Sequence, residues 1–175
     1  SRISQPTSEI SSNVARISGD TLKLISHTHI NEALQRVSGA WISRGNGQEH
    51  LTALRSPVLT GAGGCGAFLM AQDGIPLRAS GFCNVNELFD ANSEQAGAIE
   101  VIKGPASALY GSNAMHGLIN ILTPSVEAED RLSIGAEFGP HDYFRTKFTA
   151  NYADLRVDLN GTSDGGYKND SGYDQ

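Results

Sequence analysis

Hydrophobic and polar positions keep two different rhythms along this chain, and the change falls at Pro124. Beyond it, Leu132, Ile134, Ala136 and Phe138 alternate with Ser133, Gly135 and Glu137. Phe144, Thr146, Phe148, Ala150 and Tyr152 alternate with Arg145, Lys147, Thr149 and Asn151. Leu155, Val157 and Leu159 alternate with Asp154, Arg156, Asp158 and Asn160. A strict period of two predicts strands with one apolar and one polar face. Gly139-Pro140-His141-Asp142 reads as a turn, and the polar, Gly-rich stretch from Ser163 to Gln175 as a loop. Such dyads fit a half-buried antiparallel sheet, and they fit transmembrane barrel strands. Pattern alone favours the soluble sheet, because the barrel signal is weak per segment.

Before Pro124 the elements are shorter and mixed. Ile3 to Ile17 predicts an extended lead and a strand near Val14-Ala15-Arg16-Ile17. Asp20 is placed to cap a short helix over Thr21 to Ile25, and Thr28 a second one, in which Ile30, Leu34 and Val37 recur at helical spacing until Gly39 stops it. Strands are expected at His50 to Leu54, Ala67 to Ala71, Ile99 to Lys103 and Leu118 to Leu122, and a short helix at Asn92 to Ala98. Gly104-Pro105 ends one strand, Pro105 suits a helical first turn, and Gly111 ends that turn. This is the reading of a small α+β domain.

Composition narrows the function. The formal net charge of -6 and pI near 5.3 give a nucleic-acid role no electrostatic support. No apolar run is long enough for a transmembrane helix. The chain begins Ser1-Arg2-Ile3 without Met or an apolar leader, as a processed or truncated product would. Gly61, Gly63 and Gly66 spell a G-x-G-x-x-G, but a dinucleotide loop must open a helix at its third glycine. Here a strand-length apolar run and then Asp73-Gly74-Ile75-Pro76 follow, so a Gly-rich loop between strands is expected instead. Cys65 and Cys83 can pair in an exported protein and stay reduced in a cytosolic one. His27 and His29 lack the further ligands a metal needs. Asp73 belongs to a turn and Glu100 to a strand, so no catalytic pair is expected. Asn160-Gly161-Thr162 spells a glycosylation acceptor, a short motif that carries little meaning by itself.

One stretch carries more than pattern. Ile99 to Thr123 reads IEVIKGPASALYGSNAMHGLINILT, with Gly104, Pro105, Tyr110, Gly111, Gly117 and Asn120. It resembles the signature at the end of the plug domain of TonB-dependent outer-membrane receptors. Upstream, INEALQRVSGAW is similar to the family's helix and turn, with Ser38 where Pro is usual. LTALRSP is similar to its strand ending in Ile-Arg-Gly, with Ser56 in place of Gly, and MAQDGIPL to its Asp-Gly-x-Pro hairpin. The resemblance covers most of Ile3 to Pro124, with several motifs in the family's order.

The resemblance implies a mixed-sheet plug over residues 1–125 and the start of an antiparallel transmembrane barrel over 126–175, in the bacterial outer membrane. It turns the alternating segments into lipid-facing strands, with Leu132, Ile134, Phe138, Phe144, Phe148 and Leu155 towards lipid. Barrels of 22 strands with a plugged lumen are the known form of such transporters. It implies an energy-coupled importer of a scarce nutrient, such as a ferric siderophore or other large solute, with the inner-membrane protein TonB as partner and no cofactor or catalytic residue. The alternative is a plug-like binding or signalling module that does not transport. By resemblance, Cys65 and Cys83 sit in two apical loops and pair, worth about 3 kcal/mol on the chain-entropy model. Arg78, Phe82, Asn84 and Asn86 are the ligand-binding candidates of those loops. Arg55 and Lys103 match basic positions that latch the plug to barrel carboxylates, with Lys103 where Arg is usual. Both loops are expected at the end opposite the N-terminus. The coupling segment bound by TonB finds no match in Ile3 to Ile10.

Overall fold

The computed structural model describes residues 13–45, 47, 49–56, 68–77, 91–111, 113–126 and 131–175. The chain divides into two compact units, one of residues 1–44 and 50–124, the other of residues 45–49 and 125–175.

The first unit is built on a five-stranded mixed sheet. Its strands are β1 (Asn13–Ser18), β4 (Phe68–Gln72), β5 (Ile75–Pro76), β6 (Ala98–Lys103) and β7 (Gly117–Leu122), in the order β1-β6-β7-β4-β5. β4 pairs parallel with β7 and all other neighbours are antiparallel. The three inner strands read as near-continuous apolar runs because both their faces are covered. Phe68, Met70, Ile99, Val101, Ile119 and Ile121 join a core with the two helices, while Leu69, Ala71, Ile102 and Leu118 pack on the other face with Ala106 and Ala114. β2 (Ala40–Arg44) and β3 (His50–Leu54) form a separate antiparallel pair.

Helix α1 (Gly19–Ile25) is capped by Ser18, whose hydroxyl accepts from Thr21 N at 3.2 Å, rather than by Asp20. Extended β1 delivers Ser18 in the backbone conformation a cap requires. Helix α2 (Ile30–Leu34) is capped by the His29 ring, whose Nδ1 accepts from Asn31 N at 3.0 Å. Thr28, the expected cap, stands one residue outside and binds the Glu32 carboxylate through its N–H and hydroxyl at 3.3 and 3.0 Å. The expected helix at Asn92 to Ala98 is absent. Asn92 Oδ1 accepts from Gln95 N at 3.2 Å, a local side-chain bond that competes with helix, and Ala98 is taken into β6. Strand β2 went unforeseen, because Ala40-Trp41-Ile42 is too short to show a period. The helix α3 (Ser107–Tyr110) lies between Pro105 and Gly111 as expected.

Register fixes which ends lie together. Asn13, Lys103, Gly117 and Phe68 form one row, and Ser18, Ala98 and Leu122 another at the opposite end. β1 and β4 therefore start at the same end. The N-terminus and both loops, expected at opposite ends, lie outside the described residues; the first described residue, Asn13, shares the row of Phe68. The cause is the even number of antiparallel pairings between β1 and β7, which makes β1, β7 and β4 run the same way.

The second unit contains a four-stranded antiparallel sheet of β8 (Arg131–Phe138), β9 (Phe144–Tyr152), β10 (Leu155–Asp164) and β11 (Tyr173–Asp174), in the order β11-β10-β9-β8. Ser163 and Asp164, expected in the loop, extend β10 because β11 pairs back onto them. His141 and Asp142 take positive φ in the β8–β9 turn.

Gly117 opens β7 at φ +150, and a Cβ there would run into Ile102 O and the Leu54 side chain. Gly117→Ala should therefore destabilise the first unit by about 2 kcal/mol or more. The check is the urea midpoint of its unfolding, and a change within about 0.5 kcal/mol, as for an ordinary surface site, would contradict the packing described.

Candidate functional site

Arg55, just after β3, and Lys103, the last residue of β6, meet at one turn. β3 ends at Leu54, and Arg55 takes φ +51, with its N–H donating to Gly39 O at 2.9 Å. Ser56, where the family has Gly, accepts from Leu54 N at 3.3 Å. Gly39 has φ +82, and a Cβ on it would meet Arg55 Cγ at 3.1 Å and Lys103 Cδ at 3.7 Å. The glycine is thus needed both for its backbone angle and for the room it leaves two cationic side chains. Lys103, at the end of β6, is 7% exposed. Its ammonium donates to Ser38 O at 3.0 Å and lies 3.5 Å from Ser38 Oγ. Among the described residues, no carboxylate pairs with Arg55 or Lys103. The turn therefore presents two positive charges, one buried, and a carboxylate or other anion is the group that matches them.

Gly104 and Gly111 take φ +115 and +89 on either side of α3, Pro105 is exposed and Tyr110 half-buried. Asn120 is buried, and its Oδ1 accepts from Gly74 N at 2.9 Å. The signature residues thus shape the β6–β7 connection and hold the β4–β5 turn. Cys65, Arg78, Phe82, Cys83, Asn84 and Asn86 lie outside the described residues. The segments carrying them join the sheet at Phe68 and Leu77, and Leu77 N donates to Met70 O at 3.0 Å. Both are therefore attached at the Phe68 end of β4.

The other candidates have structural employment. His27 Nε2 lies 3.1 Å from Ser93 Oγ, and the His29 ring caps α2 and stands edge-on to His50 at 5.6 Å. Among the described residues no group of three or more His, Cys, Asp or Glu is placed to hold a metal. Glu100 pairs with Arg16 at 3.9 Å. Asp73 binds Thr123, accepting from its N–H and hydroxyl at 2.8 Å each. Sequence reasoning saw Asp73 only as a turn residue, since nothing local signals a partner fifty positions on.

The second unit separates its faces sharply. In register, Leu132, Ala150 and Val157 share one face with Ile134, Phe148 and Leu159, with Phe138 and Phe144, and with Tyr152 and Leu155. Leu132, Ile134 and Phe138 are 67, 74 and 78% exposed. The opposite face carries a polar network. Arg156 holds Asp158 through Nε and Nη2 at 2.5 and 2.9 Å and Asn151 Oδ1 at 3.1 Å. Thr149 Oγ1 donates to Asp158 at 2.7 Å, and Arg145, fully buried, is bonded to Glu137.

Known proteins share this arrangement. Residues 6–118 match the TonB-dependent Receptor Plug Domain family. The vitamin B12 transporter BtuB of Vibrio vulnificus is 28% identical over 177 residues, which cover 99% of this chain and 27% of that protein. Among solved structures, the siderophore receptor PiuA from Acinetobacter baumannii aligns with a TM-score of 0.64 at 25% identity, over 87% of this chain and 21% of that one. The ferric yersiniabactin uptake receptor FyuA from Yersinia pestis aligns with 0.65 at 19%, over 87% and 24%, a likeness of fold alone. The chain thus spans about a quarter of the length of the relatives it matches, which are transporters and receptors rather than enzymes. With its signature glycines, its mixed sheet and most of its length accounted for in this way, the chain belongs to the TonB-dependent receptors and carries their plug domain.

Proposed function

We propose that this chain is the plug and the first barrel strands of an outer-membrane importer, driven by TonB, for a scarce solute too large to diffuse, such as a ferric siderophore or a cobalamin. The observation that carries the reading is the two-faced sheet directly after the plug. Its three long strands have 8, 9 and 10 residues, against the roughly 9–11 that a tilted strand needs to cross a bilayer. Its apolar face is outward and its other face is hydrogen-bonded, as lipid on one side and a polar lumen on the other require. Open strand edges are not tolerated in lipid, so further strands complete the barrel. Residues 1–125 are then the plug and 126–175 the first part of the wall.

In this reading the segments at the Phe68 end face outward. Arg78, Phe82, Asn84 and Asn86 contact the solute there, offering a cation, a ring and two amides to a polar or anionic ligand. A Cys65–Cys83 bridge ties the two loops. The chain leaves the plug at the other, periplasmic end. TonB engages the N-terminal side of the plug from the periplasm. Arg55 and Lys103 await carboxylates of the barrel wall, which latch the plug.

Three outcomes test this. Spin labels on Ile134, Phe148 and Leu159 of the full-length protein should be quenched by lipid-soluble reagents, and labels on Ser133, Thr149 and Asn160 by aqueous ones; the reverse would put the faces the wrong way round. Thiol titration of denatured, unreduced protein should find neither Cys65 nor Cys83 reactive, and two free thiols would remove the bridge. Lys103→Met should lower the urea concentration that frees the plug by the equivalent of about 1.5–3 kcal/mol, the range for a hydrogen bond to a charged group, whereas an unchanged value would show the ammonium holds nothing.

A further inference from the structure

At the end of the plug sheet away from the loop segments, four strand ends form a continuous row. Gly19, following β1, donates to Gly97 O at 2.7 Å, and Gly97, preceding β6, donates to Leu122 O at 2.8 Å. Thr123, following β7, donates its N–H to Asp73 Oδ1 at 2.8 Å, and its hydroxyl to Asp73 Oδ2 at 2.8 Å. Asp73 follows β4, so a side-chain carboxylate stands where the next strand's backbone carbonyl would. Asp73 pays for that place with a left-handed φ of +50, unusual for a residue other than glycine. Its turn is pinned twice more, by Asp73 N on Ile121 O and by Gly74 N on the buried Asn120 Oδ1, both at 2.9 Å. On the other flank a Cβ at Gly97 would lie 2.8 Å from Pro124 Cα and 3.1 Å from Thr123 O. Thr123 and Pro124 are thus gripped from both sides at the point where the chain leaves the plug.

We propose that Asp73 is a positioning residue whose carboxylate clasps Thr123 and fixes the exit of the plug, so that the plug stays seated by its C-terminal end while it is loaded from its N-terminal side. The proposal rests on the plug-in-barrel reading above. It explains why a residue with a forked polar side chain stands at this strained position: one arm takes the N–H of Thr123 and the other its hydroxyl. Position in the sheet supports the same division of labour. Among the described residues β1 is an edge strand held by one neighbour, whereas β7, which leads into the clasp, is held on both sides.

The test uses the full-length protein in planar bilayers, with potassium chloride current as the probe and urea added to free the plug. Wild type is expected to be silent without urea and to conduct above a threshold. Asp73→Ala should lower that threshold. Asp73→Asn should keep it, since the amide still accepts from the N–H and can donate to the hydroxyl. Thr123→Val added to Asp73→Ala should shift it no further, because the clasp is already lost. Gly97→Ala, acting from the other flank, should also lower it. Hydrogen exchange separates positioning from general loosening: in Asp73→Ala the Thr123 amide should exchange about tenfold faster or more, with the β1–β6 amides unchanged. An unchanged threshold in Asp73→Ala, or equal acceleration of all sheet amides, would overturn the clasp. Wild type that conducts freely without urea would overturn the plug reading itself, and the clasp with it.

Discussion

The antiparallel pairing of β6 with β7 is the interaction on which the rest of the plug depends. Ile99 faces Ile121 and Val101 faces Ile119 across the ladder, and all four are buried. These two strands are covered on both faces, so each outer strand adds to an existing apolar surface: β1 to β6, and β4 to β7. The pairing is close at its start because Gly117 has no side chain to hold the strands apart. It brings Lys103 to the Ser38–Gly39 turn at one end and Thr123 to Asp73 at the other. Both ends of the plug sheet are therefore set by one register.

The second unit obeys the opposite rule. Its large apolar side chains are exposed, while Arg145 and Arg156 are turned to the hydrogen-bonded face. Burying a large apolar side chain is worth roughly 1.5–3 kcal/mol, so exposing a whole face to water would forfeit much of what folding gains. In the proposed membrane wall a hydrocarbon surround removes that conflict, and the Arg156–Asp158 and Arg145–Glu137 pairs would face the lumen for the same reason, since an ion pair in hydrocarbon is costly.

Much of this was legible in the residues. Period-two alternation gave β8, β9 and most of β10, because each residue's face follows from its parity. Apolar runs bounded by Gly and Pro gave β6, α3 and β7. What stayed hidden depends on distant partners. β2 exists because Ala40 to Arg44 finds β3, the tail forms β11 because β10 accepts it, and Asn92 to Gly97 is not helical because Ala98 is claimed by Ser18 and Leu122. The two ends of the site differ in the same way. Arg55 and Lys103 could be named by motif, but that Gly39 gathers them, and that Lys103 first serves Ser38, needs the fold. The direction of β1 also needs the fold, because motif order along a chain does not give strand polarity.

The most direct test of the whole account is the structure of the full-length protein in lipid nanodiscs by electron cryomicroscopy. It should place residues 13–124 inside a closed barrel, with β8 hydrogen-bonded to the barrel's final strand and Leu132, Ile134 and Phe138 against lipid. A first unit standing outside any barrel, or an apolar face of β8–β10 covered by protein rather than lipid, would contradict it.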